Sequence, residues 1–227
     1  MNQKLVILTG AGISAESGIK TFRDSDGLWE EHEVTKVASP EGWESDKALV
    51  LEFYNQRREN VRDTEPNAAH RFLAELEDKY QVCIVTQNID DLHERGGSSS
   101  IIHLHGEILK AQSTANPELI YDLNGRDITL GDTCELGAQL RPFIVWFGEA
   151  VPKLEDASLQ VMNADIFIVI GTSLQVYPAA GLVQYTKTNC KRILVDPKPD
   201  EISVPKDFEV ISETAVNAIP QLKKLLL

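Results

Sequence analysis

Residues 5–18 read Leu5-Val6-Ile7-Leu8-Thr9-Gly10-Ala11-Gly12-Ile13-Ser14-Ala15-Glu16-Ser17-Gly18. Four aliphatic residues in succession predict a strand that is apolar on both faces, and the G-x-G-x-x-A directly behind it predicts a turn into a helix. In a dinucleotide fold, Gly10 of such a turn permits the tight bend and Gly12 lets the backbone approach a pyrophosphate. The helix N-terminus then attracts the anion. The same stretch also fits an ordinary glycine turn of any α/β protein, and the turn alone does not choose between the two. The residues beyond Gly18 narrow the choice. A hydride-transfer domain needs a second strand ending in an acidic residue about 20 positions on, to hold the ribose. Here the chain instead runs Thr21-Phe22-Arg23-Asp24-Ser25-Asp26-Gly27-Leu28-Trp29, neither strand nor helix. A dehydrogenase is therefore disfavoured.

Working outward, further short β-branched runs occur at 82–85, 101–104, 143–146, 166–170 and 193–195, separated by helical patterns near 66–79, 153–163, 178–187 and 215–226. Most of the runs are apolar throughout, as strands covered by helices on both sides are. The alternation predicts an α/β fold, a doubly wound, mostly parallel Rossmann-like sheet with a second, smaller inserted subdomain. Two stretches break the rhythm. One, 20–63, carries Trp29, Trp43 and a helix near 46–62; the other, 108–141, is rich in turn signals such as Asn-Pro and Asn-Gly. The expected division of the single domain 1–227 is a large part at about 1–19, 64–107 and 142–227, and a small part at about 20–63 and 108–141.

Composition bounds the partners. The 227 residues include 22 Lys+Arg against 35 Asp+Glu, a formal charge of −13. That balance argues against a nucleic-acid partner, which needs a basic face, and suits a lysine-rich protein surface. Cys83, Cys134 and Cys190 are odd in number and form no CxxC pair, so neither a disulfide framework nor a cysteine-based zinc site is expected. The apolar start is too short for a secretion signal and no run reaches membrane-spanning length, so a cytoplasmic protein with no membrane partner is expected.

Polar residues gather where strands end, which is where open α/β sheets bind ligands. After 82–85 come Thr86-Gln87-Asn88-Ile89-Asp90-Asp91-Leu92-His93. Any one of these could simply cap a helix; Gln, Asn and Asp together suit recognition of a carboxamide and hydroxyls. In Ile101-Ile102-His103-Leu104-His105-Gly106-Glu107 the two histidines share one strand face. No third ligand stands at convincing spacing, so metal binding ranks below a single general base. His105, last before a glycine, is the better candidate, with His103 a satisfied neighbour. Gly171-Thr172-Ser173 and Asp196-Pro197 close two more strands, as phosphate or ribose contacts or as plain caps.

Taken in order, these motifs resemble the sirtuins, NAD-dependent protein-lysine deacylases. The matching residues run from 10 to 19, then Thr21-Phe22-Arg23, Thr86 to Asp90, Leu104-His105-Gly106, Arg141-Pro142, Phe147-Gly148-Glu149 and Gly171-Thr172-Ser173. By that resemblance NAD is the co-substrate, and acylated lysine side chains of proteins are the partners. Ala11, Ser14, Phe22 and Arg23 would line the NAD site. Gln87, Asn88 and Asp90 would hold the nicotinamide ribose and carboxamide. Gly171, Thr172, Ser173, Asp196 and Ala215 would meet the adenosine half, and Gly10, Gly12, Glu16, Ile89, Pro197 and Lys198 would complete the cofactor-binding set. His105 would be the catalytic base, aided by Asn88. The implied products are free lysine, nicotinamide and an O-acyl-ADP-ribose. The substrate would lie extended between Phe147, Gly148, Glu149 and Val151 on one side and Leu174 and Val176 on the other, adding a strand by main-chain hydrogen bonds.

Two details refine the resemblance. Tyr54 and Arg57, three apart on a helix, share a face and resemble the Tyr-x-x-Arg of the branch that removes succinyl and malonyl groups. A guanidinium fork beside a phenol suits an acyl chain ending in a carboxylate; a surface arginine beside a half-buried tyrosine is the plainer alternative. Most sirtuins also carry two cysteine pairs for a structural zinc between the positions of His105 and Arg141, where this chain has Cys134 alone. No zinc is therefore expected, and apolar contacts of Leu119, Ile120, Tyr121, Ile128 and Leu130 are expected to hold the segment instead. Asp196 stands where the family usually has Asn.

Overall fold

A computed structural model describes residues 2–20, 28–29 and 32–227. In chain order these form β1 (Lys4–Thr9), α1 (Gly12–Ala15), β2 (Leu28–Trp29), β3 (His32–Glu33), α2 (Val34–Val37), α3 (Pro40–Ser45), α4 (Lys47–Asp63), α5 (Ala68–Glu75), β4 (Gln81–Thr86) and α6 (Leu92–Arg95). They continue with β5 (Ile101–His103), β6 (Gly106–Ser113), β7 (Ile120–Asp122), β8 (Leu140–Ile144), α7 (Leu154–Met162), β9 (Ile166–Ile170), β10 (Lys191–Val195), β11 (Glu209–Ile211) and α8 (Ile219–Leu226).

The apolar runs are strands because both of their faces are covered. In β1, Leu5 and Ile7 enter one core while Val6 and Leu8 enter another; in β9, Ile166, Ile168 and Ile170 part from Phe167 and Val169 in the same way. Each fully buried aliphatic side chain of this kind contributes about 1.5–3 kcal/mol. The six strands are hydrogen-bonded in the order β11-β10-β9-β1-β4-β5, all pairs parallel. The chain starts in the middle, winds out to β5, then crosses back to β9 and winds out to β11. Winding reverses between β1 and β9, so the ligand crevice of such a sheet falls outside their carboxyl ends.

The smaller part has its own sheet, antiparallel, in the order β7-β6-β8. A third core joins it to α3 and α4 through Trp43, Val50, Tyr54, Ile108, Leu123, Ile128 and Trp146. Local signals start these helices: Ser39 Oγ accepts the Gly42 N–H ahead of Pro40, and Asp46 Oδ1 accepts the Leu49 N–H at 2.9 Å. Helix α4 then grips the sheet's far loop. Asn55 donates to Ile128 O at 2.9 Å and accepts from Ile128 N at 3.1 Å. The fully buried Arg58 donates to Ile108 O at 2.9 Å. Burial draws its pKa down to about 10, against the pull of Asp127, so it stays charged at neutral pH.

Several expectations need correction. The strand expected at 143–146 is β8, set three residues earlier at its start and paired into the small sheet rather than the parallel one. The helix expected at 178–187 is a 3-10 turn over Ala179–Tyr185. Helix α8 begins at Ile219, where Pro220 fits its first turn. The apolar contacts expected between 119 and 130 do not form as a set. Only Ile128 of the five is buried; Ile120 and Leu130 are exposed, and the Tyr121 hydroxyl bonds Glu135. Hydrogen bonds hold that segment together: Gln139 Nε2 to Thr129 O at 2.9 Å, Thr129 N to Asp132 at 2.7 Å, and Ser113 Oγ beside Cys134 Sγ at 3.2 Å.

Candidate active site

The glycine turn after β1 meets the turn after β9, backbone against backbone. A Cβ on Gly10 would stand 2.6 Å from Thr172 Cβ, one on Gly12 would stand 2.7 Å from Gly171 Cα, and one on Gly171 would stand 2.6 Å from Ile13 N. Gly10 N–H donates to Ile170 O at 3.1 Å and Gly12 N–H to Gly171 O at 2.8 Å. This gives the motif a further reason. The bare side of Gly12 is filled by the neighbouring loop and its amide bonds there. The glycines bring two strand ends together at the switch point, and α1 is only four residues long.

Polar side chains line that junction. Asn88 Nδ2 donates to Ser14 Oγ at 3.1 Å, and Ser14 Oγ donates to Asp90 Oδ2 at 3.1 Å. All three are buried. Burial raises the Asp90 pKa, while the Leu92 N–H and the Ser14 hydroxyl hold it down. Across the junction Gln87 Nε2 donates to Thr172 Oγ1 at 2.9 Å, tying the β4 end to the β9 turn. Ser173 is half-buried beside Leu174, which takes a left-handed φ of 54°.

His105 sits at the joint between the sheets, two residues past the end of β5 and one before β6. Its carbonyl accepts Val145 N–H at 2.9 Å. Its Nδ1 lies 3.0 Å from Gln87 O. A carbonyl only accepts, so Nδ1 carries the hydrogen and Nε2 holds a lone pair. Burial lowers the His105 pKa, partly offset by the Gln87 bond, and the ring is neutral at physiological pH. His103 differs. Its Nδ1 is 3.1 Å from Asn88 O and its Nε2 is 2.8 Å from Glu94 Oε1. Burial opposes its charge most strongly, but the bond to Glu94, the Glu94 charge and the Asn88 carbonyl together outweigh that and raise its pKa. It is the satisfied neighbour that the sequence suggested, and it braces the Asn88 carbonyl.

The loop after β8 is locked from behind. Glu149 receives Arg141 Nη1 and Nη2 at 2.7 and 3.0 Å and Trp146 N–H at 2.8 Å. The Arg141 guanidinium lies 3.4 Å from the Trp146 ring centre. Trp146 Nε1 donates to Tyr54 Oη at 3.1 Å, joining this loop to α4. Tyr54 is fully buried and Arg57 is 8% exposed. Burial keeps the phenol protonated far above its ordinary range. Glu149 thus shapes the loop from within rather than facing outward. Phe147 is half-exposed, but its N–H goes to Ala38 O at 3.0 Å, and Glu149 N–H goes to Trp146 O at 3.0 Å. Residues 147–149 form a turn, with Gly148 at φ 92°. Val151 is half-buried against the second core and Val176 O accepts Ala180 N–H, so neither flank is a preformed strand edge.

The remaining residues suggested by sequence lie on the β10 and β11 side. Asp196 is buried and its Oδ1 accepts Lys198 N–H at 2.9 Å; Pro197 and Lys198 are exposed. Glu16 Oε2 accepts Val216 N–H at 3.0 Å, tethering the loop of the buried Ala215 to α1. Ala11 and Ile89 are half-buried at the rim. Phe22 and Arg23 lie outside the described residues. Sequence reading missed Arg141 and Trp146 as loop braces, and Thr9, Thr86, His70 and His93 beneath the Asn88 loop. Two hydroxyls closing otherwise aliphatic strands were the available sign.

With this geometry in place, the relatives agree. The Sir2 family pattern matches residues 10–178, and the chain belongs to that family. The NAD-dependent protein deacylase of Helicobacter pylori is 53% identical over 225 residues, covering 99% of this chain and 98% of that protein. That of Bacteroides thetaiotaomicron is 50% identical over 230 residues, covering 99% and 98% respectively. A solved complex of a Sir2 homologue with NAD matches at a TM-score of 0.86 and 37% identity, covering 100% of this chain and 91% of that one.

Proposed function

We propose that this chain is an NAD-dependent protein-lysine deacylase. The observation that carries the reading is His105: a neutral imidazole, its Nδ1 pinned to Gln87 O, its Nε2 an acceptor, set at the joint where Gln87 leads into the buried group of Ser14, Asn88 and Asp90. The residues fit the co-substrate by their chemistry, since a carboxamide, two hydroxyls and a carboxylate buried at a switch point suit sugar hydroxyls and an amide. NAD, when bound, supplies a glycosidic carbon with nicotinamide as its leaving group. Asn88 and Asp90 orient the sugar, Gln87 and Thr172 close the floor, and His105 Nε2 takes a proton from a sugar hydroxyl. The acyl oxygen is a weak nucleophile, so positioning carries much of the barrier reduction. The test is to mix the protein with NAD and an acyl-lysine peptide. Nicotinamide, free lysine and O-acyl-ADP-ribose in equal amounts support the reading; ADP-ribose fixed to a protein without deacylation assigns a transferase instead.

Among acyl groups, we infer a preference for chains ending in a carboxylate. The support is Arg57 placed beside the buried Tyr54, whose hydroxyl bonds the base of the 147–149 loop. A charge-assisted contact of this kind contributes about 1.5–3 kcal/mol. Arg57→Met should therefore cut desuccinylation by about 10- to 100-fold more than deacetylation. Equal losses on both acyl groups refute the pocket.

A further inference from the structure

Beneath the Asn88 loop runs a line of buried polar groups that the proposed reaction does not use. Thr9 and Thr86 end β1 and β4 as register partners, both fully buried. Their hydroxyls are 2.9 Å apart, and Asn88 N–H donates to Thr86 Oγ1 at 3.0 Å. On the other side, His93 Nε2 lies 3.0 Å from Thr9 Oγ1. The His93 ring faces that of His70, centres 5.0 Å apart and planes inclined at 64°. Both rings are fully buried. Nε2 of His70 and Nδ1 of His93 are buried and make no hydrogen bond among the described residues.

The cap of α5 holds His70 in place beside His93. Asn67 N–H donates to His70 Nδ1 at 3.3 Å as half of a capping box. Asn67 Oδ1, 3.1 Å from the same nitrogen, already receives the amides of Ala69 and His70. His70 Nδ1 therefore holds a lone pair and Nε2 the hydrogen. Burial keeps both imidazoles neutral, each with one donor and one acceptor. With the Thr9 hydroxyl donating to Thr86 Oγ1, its one hydrogen is spent, so His93 Nε2 is the donor to Thr9. The glycine at 96 makes room for the pair, since a Cβ there would stand 2.9 Å from His70 Cβ. Asn67 also closes the circuit, its Nδ2 donating to Ile13 O at 2.8 Å and Ser17 Oγ at 2.9 Å on the turn that carries Ser14.

We propose that His93, packed ring to ring against His70, is a positioning residue for the reaction: through the Thr9 and Thr86 hydroxyls it fixes the Asn88 backbone, and so the reach of the Asn88 side chain. The proposal rests on the deacylase reading for its effect on turnover. Three substitutions test it in the full-length chain. His93→Leu removes the donor, Thr9→Val removes the hydroxyl at nearly constant volume, and His93→Gln returns an amide donor within reach of Thr9. Hydrogen exchange at Asn88 N–H, followed without NAD, should quicken about ten-fold in His93→Leu and Thr9→Val and recover in His93→Gln. Per folded molecule, kcat should fall about ten-fold in the same two variants while the peptide KM stays within about two-fold, and His93→Gln should restore it. Unchanged Asn88 exchange in Thr9→Val overturns the proposal whatever the activity. Quickened exchange with unchanged kcat also overturns it, as does a loss that His93→Gln fails to repair. If His93→Leu does not fold, Thr9→Val decides. A wild-type protein that releases no nicotinamide refutes the deacylase reading separately, and the exchange readout still decides the relay.

Discussion

Lowering the pH should unfold this protein partly through a buried imidazole. His70 is fully buried, and burial, aided by Arg95 and Arg71, draws its pKa from 6.5 down to about 4. Between those two values the unfolded chain binds a proton that the folded chain refuses, so stability falls as pH falls. The contribution is fully present above 6.5 and fully lost below 4. A gap of about 2.5 units is worth roughly 3 kcal/mol at 1.36 kcal/mol per unit. Against a total of about 5–15 kcal/mol that loss is large, a drop of roughly 6–12 °C in Tm for a chain of this length. The assay is urea unfolding of wild type and His70→Gln across pH 4.5–7.5, the glutamine keeping a polar side chain that cannot titrate. Carboxylates held below their usual range, such as Asp165 and Glu94, also weaken folding in acid but cancel in the difference. The wild-type curve should be steeper by about 1.4 kcal/mol per pH unit between 4.5 and 6. Parallel curves would show that the buried ring takes up its proton without cost, and the reasoning fails.

Other outcomes are open to direct measurement. Because His105 is neutral by burial, kcat/KM should be flat above pH 6.5 and decline about ten-fold per unit below a midpoint under that value; a midpoint above 7 assigns the limb to another group. His105→Ala should lower turnover by about 10²- to 10⁴-fold while leaving NAD binding, read by calorimetry, largely intact. Asn55→Leu, which breaks both bonds to Ile128, should cost about 1–3 kcal/mol in urea unfolding; a loss within error would mean that α4 does not secure that loop. Elemental analysis of the purified protein should find no stoichiometric zinc, and one zinc per chain would require ligands beyond Cys134.

The large sheet was legible because its strands are apolar on both faces, a pattern that surface elements do not mimic. The small sheet was not. β6 reads Gly-Glu-Ile-Leu-Lys-Ala-Gln-Ser, with little alternation, and β7 is a three-residue edge strand whose Ile120 stays exposed. Apolar character there predicted burial, but an edge strand of a three-stranded sheet has nothing to be buried against. β8 looked like a member of the parallel sheet because sequence marks a strand without marking its neighbours. The packing role of the glycine turn was hidden for the same reason: Gly10 and Gly12 are needed by the turn after β9, some 160 residues on, and no local pattern reveals which strand lies beside β1. Site residues fared better. Ser14, Gln87, Asn88, Asp90, His105 and Thr172 converge because each ends or follows a strand of one sheet, while the supports of that cluster, His93 and the two threonines, and the loop brace Arg141 are scattered in sequence and recognisable only by contact.

Only Leu104 and His105 separate the last residue of β5 from the first of β6. The imidazole therefore stands on one of the crossings between the two sheets, so that any displacement of the antiparallel sheet would carry the base with it.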